Sequence, residues 1–215
     1  MLLKEERKKV ITIAIKAQED RLIPLTMGNF SLRDKETGYI CITPSGMQYD
    51  ELKTKDIVVI DIEGNIIEGV RKPSTELQLH LAAYRKRSDV YGVVHTHSTF
   101  ATAWACCGEK IPVVVAEVAT LLAGAVECAP YRLPGSAELA RTTIEWLRDR
   151  NAVLMENHGV LAVGASIEVA YSNAVVTEEG AKIAFYAKQL GGMKIIPDEE
   201  CKLLREITIK GYGQK

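Results

Sequence analysis

Three of the chain's four histidines stand where they could share one metal ion. His95 and His97 flank Thr96 at the end of an apolar run, and His158 lies in Asn157-His158-Gly159 between two further apolar runs. On an extended strand, side chains two apart leave the same face, so His95 and His97 can point at a common ion. A third imidazole from a distant turn completes a three-nitrogen face and leaves a position open for substrate, as in catalytic rather than structural zinc. The plain alternative is a set of strand-end histidines making ordinary hydrogen bonds. Two features weigh against it. Three of only four histidines fall at strand-to-turn boundaries, and Gly159 allows a sharp turn that presents His158 inward. His80, the fourth, lies within a helical pattern and reads as a packed or hydrogen-bonded helix residue.

Glu76 is the next candidate, in Pro73-Ser74-Thr75-Glu76-Leu77 at the start of a predicted helix. A negative charge in a first turn is favoured by the helix dipole alone, by a few tenths of a kcal/mol. The Ser74 and Thr75 hydroxyls with the helix N-terminal amides also make an anion site. A carboxylate beside an anion and a metal is poised for proton transfer. Two more segments could cradle an anion: Thr26-Met27-Gly28-Asn29 and Thr43-Pro44-Ser45-Gly46. Each is also readable as a plain β-turn. Between them the three segments offer hydroxyls, an amide and glycines without an embedded lysine, which is not a Walker-type loop.

The elements that must position these residues follow from periodicity. Apolar residues at helical spacing predict helices over 4–20, 75–87, 99–107, 118–123, 136–148 and 167–190, with a last helix or frayed segment over 199–210. Ser74 or Thr75 and Ser136 suit N-caps, and Gly191-Gly192 a C-cap. Strands are expected at 29–33, 39–43, 57–61, 65–68, 90–95, 152–156 and 160–163, with 111–115 as a strand or extended entry. Glu63-Gly64 predicts a hairpin turn between two of them. No repeat, linker or low-complexity segment divides the chain, so one mixed α/β domain over 1–215 is the simplest account.

Composition narrows the function classes. The 215 residues are 47% hydrophobic and 26% charged with a formal net charge of -1, an ordinary globular balance. That charge gives no electrostatic case for a nucleic-acid or anionic-membrane partner. No apolar stretch suffices to span a bilayer, and Met1–Arg7 lacks a signal-peptide core. Cys41, Cys106, Cys107, Cys128 and Cys201 contain no CxxC pair and are expected to be small buried apolar residues in a reducing cytoplasm.

Taken together, the motifs resemble the class II aldolase/epimerase family, typified by L-fuculose-1-phosphate aldolase and L-ribulose-5-phosphate 4-epimerase. The segments that carry the likeness are TMGNFS (26–31), TPSGMQYDEL (43–52), KPSTELQLHLAAY (72–84), VVHTHS (93–98), CAPY (128–131) and ENHGVL (156–161), in the family's order across nearly the whole chain. The resemblance implies a three-layer α/β/α fold with a mostly antiparallel central sheet, and a homotetramer with active sites at subunit boundaries. It implies His95, His97 and His158 as Zn²⁺ ligands, and Glu76 as the acid/base, bound to the metal until substrate displaces it. Gly28, Asn29, Ser45, Gly46, Ser74 and Thr75 would hold the phosphate, and Tyr212 resembles a family tyrosine that donates a proton in a neighbouring subunit's site. The implied reaction is cleavage of a ketose 1-phosphate, foremost L-fuculose 1-phosphate, to dihydroxyacetone phosphate and an aldehyde such as lactaldehyde. The epimerase carries an aspartate where this chain has Glu76, which favours aldol cleavage. Two departures fall on the aldehyde side: Val115-Ala116-Glu117 where the fuculose enzymes place a tyrosine, and Pro134 where family members place an aromatic. A methylthioribulose-1-phosphate dehydratase resembles the same metal and glutamate pattern. Adducin domains keep the fold without the metal site, and the intact histidines and Glu76 argue against a non-catalytic module of that kind.

Overall fold

The strand-forming runs assemble into one sheet because the central ones carry apolar side chains toward both faces, whereas 29–33 is apolar toward one face and polar, with Asn29 and Ser31, toward the other. In the computed structural model, which describes residues 1–211, the chain begins with α1 (Lys4–Glu19), β1 (Asn29–Arg33), β2 (Ile40–Ile42), β3 (Val58–Ile60) and β4 (Ile66–Glu68). α2 (Leu77–Lys86), β5 (Gly92–Thr96), α3 (Thr99–Cys106), α4 (Ala116–Leu122), β6 (Cys128–Ala129) and α5 (Ala137–Leu147) follow. β7 (Ala152–Met155), β8 (Gly159–Gly164), α6 (Ile167–Gln189) and α7 (Asp198–Gly211) complete it. The 8-stranded sheet runs β4-β3-β2-β1-β5-β8-β7-β6. Its pairs are antiparallel except β6 with β7.

Two apolar cores, one on each face, make this a three-layer α/β/α fold. Phe30, Leu32, Val94, Val160 and Ala162 pack under α1, α3, α4 and α6. Val93, Leu161 and Val163 pack under α2 and α5 with Leu79, Leu81, Leu139 and Leu147. β5 and β8 sit at the sheet's centre and are buried throughout. Burying each Val or Leu side chain stabilises by roughly 1.5–3 kcal/mol, so a one-residue slip of either strand is prohibitive. The same register sends His95, in phase with Val93, to the α2 face. Gly92 fits α6 closely to β5: a Cβ there would meet Ile167 Cα at 2.4 Å.

The expected hairpin is present, β3 pairing with β4 through a turn closed by Gly64 N–H to Asp61 O at 3.1 Å. Ser136 caps α5 by accepting from Leu139 N–H at 3.0 Å, and Gly192 N–H closes α6 on Ala187 O at 3.1 Å. Several boundaries differ. α2 starts two residues later than periodicity predicts, and neither Ser74 nor Thr75 caps it; Glu76 occupies the N-cap position without a capping hydrogen bond. Residues 111–115 are an extended entry whose one bridge is Ile111 with Val126. β6 was not expected, since two residues are too few for a period. Cys106 and Cys107 are exposed rather than buried, because α3 ends there and the chain turns into solvent. No helix of the described residues is long and apolar enough to cross a membrane.

Candidate active site and metal centre

β5 delivers His95 from its penultimate residue and His97 from just beyond the strand end. His158 arrives from the β7–β8 turn, where Asn157 takes the left-handed conformation at φ 55°. The sharp turn is therefore made by Asn157, and Gly159 serves a different need. A Cβ on Gly159 would lie 2.4 Å from Thr96 O, 3.3 Å from the His97 ring and 3.4 Å from the His95 ring. Only glycine lets β8 approach β5 so closely at the point where the rings meet.

The three rings converge. Their centroids are 4.8 to 5.0 Å apart, and their ligand nitrogens all lie within 4.8 Å of one another. His95 Nε2 is 2.9 Å from His97 Nε2, close to the ~3.3 Å that tetrahedral nitrogens ~2.0–2.1 Å from zinc would show. His95 Nδ1–H donates to Val160 O at 2.8 Å, which aims Nε2 inward. His158 Nδ1 has no partner among the described residues, and its ring is set by packing against the other two.

Glu76 closes the fourth side, with Oε2 3.0 Å from His95 Nε2 and Oε1 3.3 Å from His158 Nε2. Burial alone would raise its pKa; the charge and hydrogen bond of His95, with His158 and the Asn29 amide, outweigh it and hold the carboxyl well below the ordinary range. Burial pushes the His97 and His158 pKa values down, to about 3 and about 4, helped by the charge of His95. At His95 burial opposes protonation, but Glu76 beside it raises the pKa. A buried anionic carboxylate faces two imidazoles that keep their lone pairs at neutral pH. That donor set suits a divalent cation, which would neutralise the carboxylate and accept the nitrogens.

The cavity over this cluster has a volume of about 270 Å³ and is bordered by Gly28, Asn29, Ser45, Gly46, Ser74 and Thr75, together with Glu76 and the three histidines. The ten described residues that the sequence singled out for the site thus meet at one place. Ser45 N–H to Lys72 O and Ser74 N–H to Thr43 O, both 3.1 Å, tie two of the loops together. Ser74 Oγ accepts from Glu76 N–H at 3.2 Å and keeps its own proton to donate. Among the described residues no lysine or arginine borders the cavity. A larger cleft of about 410 Å³ between α2 and α5 contains no metal-ligating cluster among the described residues.

Asn29 differs from expectation in detail, its amide being engaged by Glu76 at 3.0 Å and by His80 at 2.5 Å. His80, Ser31 and Tyr84, behind it, were not singled out as site residues. The i, i+4 spacing of Glu76, His80 and Tyr84 and the i, i+2 spacing of Asn29 and Ser31 were the available signals. Pro134 borders the cavity with Gly135, whereas Val115, Ala116 and Glu117 do not. Tyr212 lies outside the described residues.

The family model for the class II aldolase and adducin N-terminal domain matches residues 8–185. The chain belongs to this family. It is 40% identical over its full length, and the relative's full length, to a 5-deoxy-D-ribulose 1-phosphate aldolase of Bacillus thuringiensis serovar kurstaki. Among solved structures, an L-fuculose 1-phosphate aldolase superposes with a TM-score of 0.94 at 37% identity, covering 97% of this chain and 98% of that one. The L-fuculose-1-phosphate aldolase of Thermus thermophilus gives 0.76 at 28% identity, over 88% and 98%. The family's aldolases are metal-dependent carbon–carbon lyases, and this chain is an enzyme of that class.

Proposed function

We propose that this class II aldolase binds one Zn²⁺ through His95, His97 and His158 and reversibly cleaves a short-chain deoxyketose 1-phosphate to dihydroxyacetone phosphate and a small aldehyde. The observation that carries the reading is the meeting of three imidazoles and a buried carboxylate in one cavity with three uncharged, hydroxyl-rich loops. Bound zinc would supply Lewis-acid polarisation of the ketose carbonyl and stabilise the negative charge that builds there; the donor set also suits cobalt or manganese.

The protein's own residues do the rest. Gly28, Asn29, Ser45, Gly46, Ser74 and Thr75 surround the phosphate, with the Ser45, Ser74 and Thr75 hydroxyls as donors. Glu76, ionised and aimed at the histidines, moves a proton at the carbon or hydroxyl beside the carbonyl as the carbon–carbon bond opens. Tyr212 is assigned, in a neighbouring subunit's site, to the aldehyde half, as proton donor in the condensation direction and as acceptor of the hydroxyl proton in cleavage. A homotetramer with sites at subunit boundaries, working in the cytoplasm, belongs to this reading. Two observations support it: exposed Phe185 and Tyr186 cluster with Phe100 on α6 and α3, and Val115–Glu117 stand away from their own chain's cavity.

L-fuculose 1-phosphate and 5-deoxy-D-ribulose 1-phosphate share the phosphate end and a terminal methyl group. The full-length 40% identity favours the second. Pro134 in place of a larger aromatic fits a different aldehyde-side wall from that of the fuculose enzymes. The test is a panel of both sugars, methylthioribulose 1-phosphate and L-ribulose 5-phosphate with the zinc-loaded enzyme, scoring triose phosphate release. Release from the deoxypentulose above the others is the expected result. No triose phosphate from any ketose 1-phosphate would overturn the aldolase reading, and water loss from methylthioribulose 1-phosphate would put a dehydratase in its place.

A further inference from the structure

A buried chain of polar side chains leads away from Glu76 between β1 and α2. Asn29 Nδ2 donates to Glu76 Oε2 at 3.0 Å, and Asn29 Oδ1 lies 2.5 Å from His80 Nε2. His80 Nδ1 is 2.6 Å from Ser31 Oγ, which is 2.8 Å from the Tyr84 hydroxyl. His80 and Ser31 are fully buried and Tyr84 is 2% exposed. β1 supplies alternate residues of one strand face, and α2 with its N-cap supplies residues one turn apart, so the chain is built into both elements.

Its polarity is forced. An amide oxygen can only accept, so His80 Nε2 carries the proton. Burial keeps the ring neutral, so Nδ1 holds a lone pair and accepts from the Ser31 hydroxyl. Ser31, having used its proton, accepts from Tyr84. Every hydrogen therefore points toward Glu76. Turning the Asn29 amide over would set its oxygen against the carboxylate and its NH₂ against the His80 N–H, two repulsions in a low-dielectric interior. Glu76 Oε1, by contrast, lies 3.3 Å from His158 Nε2 and has no hydrogen-bond partner among the described residues.

We propose that His80, backed by Ser31 and Tyr84, is a positioning residue that locks the Asn29 amide onto Glu76 Oε2 and leaves Oε1 as the oxygen that takes and returns the reaction's proton. The proposal rests on Glu76 being the proton-transfer group of the aldolase reading. Without His80 the amide can rotate, the carboxylate loses its fixed orientation, and proton transfer slows while metal and phosphate remain bound.

The experiment has two arms on the full-length, zinc-loaded protein. In the first, His80→Leu is expected to lower kcat by about 10- to 100-fold, the cost of a misplaced reacting group, with KM and zinc content held within twofold. His80→Gln, which can still offer an N–H toward Asn29, should recover much of the loss. Tyr84→Phe should show a smaller loss of the same kind and keeps the test open if His80→Leu does not fold. Unchanged kcat in both His80→Leu and Tyr84→Phe, or a loss that parallels zinc loss, would overturn the proposal. In the second arm, ¹⁵N-imidazole spectra assign the His80 tautomer by comparison with His80→Gln. An Nε2–H ring that stays neutral from pH 5 to 9 supports the lock, and an Nδ1–H ring or a titrating one overturns it. This arm needs no turnover, so it still reads the lock if the sugar panel rejects the aldolase reading.

Discussion

Replacing Gly159 with alanine asks whether strand packing holds the three rings in place. The added Cβ would sit 2.4 Å from Thr96 O, a backbone atom that no rotamer change can move. Relief to an ordinary contact of about 3.4 Å needs a shift of roughly 1 Å between β5 and β8, at the place where Thr96 pairs with Val160. Overpacking of this kind costs about 1–3 kcal/mol. The stiffer unfolded chain of the alanine variant returns only about 0.4–1 kcal/mol, so the net effect is destabilising. For a chain of this length a net cost of up to about 2.6 kcal/mol lowers Tm by up to about 10 °C. The shift also stretches the 2.8 Å contact between His95 Nδ1 and Val160 O and separates His158 from the β5 pair. Disturbing such a ligand-orienting contact weakens metal binding by about 10- to 100-fold. Zinc affinity by competition with a chromophoric chelator, together with thermal unfolding of the metal-free protein, measures both effects. An alanine variant with zinc affinity within twofold of the parent and an unchanged Tm would refute the reasoning.

Three further outcomes follow from the same geometry. Glu76→Gln should retain zinc and phosphate binding while turnover falls by roughly 10²–10⁴-fold, measured as triose phosphate release; near-normal turnover would remove Glu76 from the chemistry. His97→Ala should abolish tight zinc binding, since two imidazoles make a poor site, and metal analysis after dialysis would show full occupancy if the ligands are wrongly assigned. Burial lowers the His80 pKa to about 3 from the ordinary 6.5, with smaller effects of His95 and Glu76. The unfolded chain therefore binds a proton first as pH falls. The ring's contribution is whole above pH 6.5 and is lost progressively toward pH 3, about 2 kcal/mol of it by pH 5. Urea unfolding at pH 7.5 and 5 should show His80→Gln losing less stability than the parent by about that amount, and equal losses would contradict the buried neutral ring.

Much of the site was legible because the chemistry resides in residue types at fixed spacing. His95 and His97 two apart on a strand, a third histidine before a glycine, and Glu76 after two hydroxyls pointed to four side chains that the fold brings together in one cavity. Periodicity likewise located the central strands and the long α6, where apolar alternation or helical spacing persists over many residues. What local pattern cannot hold is contact across the sheet. Gly159 looked like a turn residue, yet the turn belongs to Asn157 and the glycine is there for the backbone of β5. β6 is too short to have a period and exists because β7 pairs with it. His80 looked like an ordinary helix residue until β1 was laid against α2, which placed Asn29 and Ser31 on either side of its ring. Residue type and spacing thus pointed to the groups proposed to ligate and to transfer protons. Only the packing of β1, α2, β5 and β8 decided which nitrogen faces inward and which carboxylate oxygen is held, because those depend on partners that sequence separation hides.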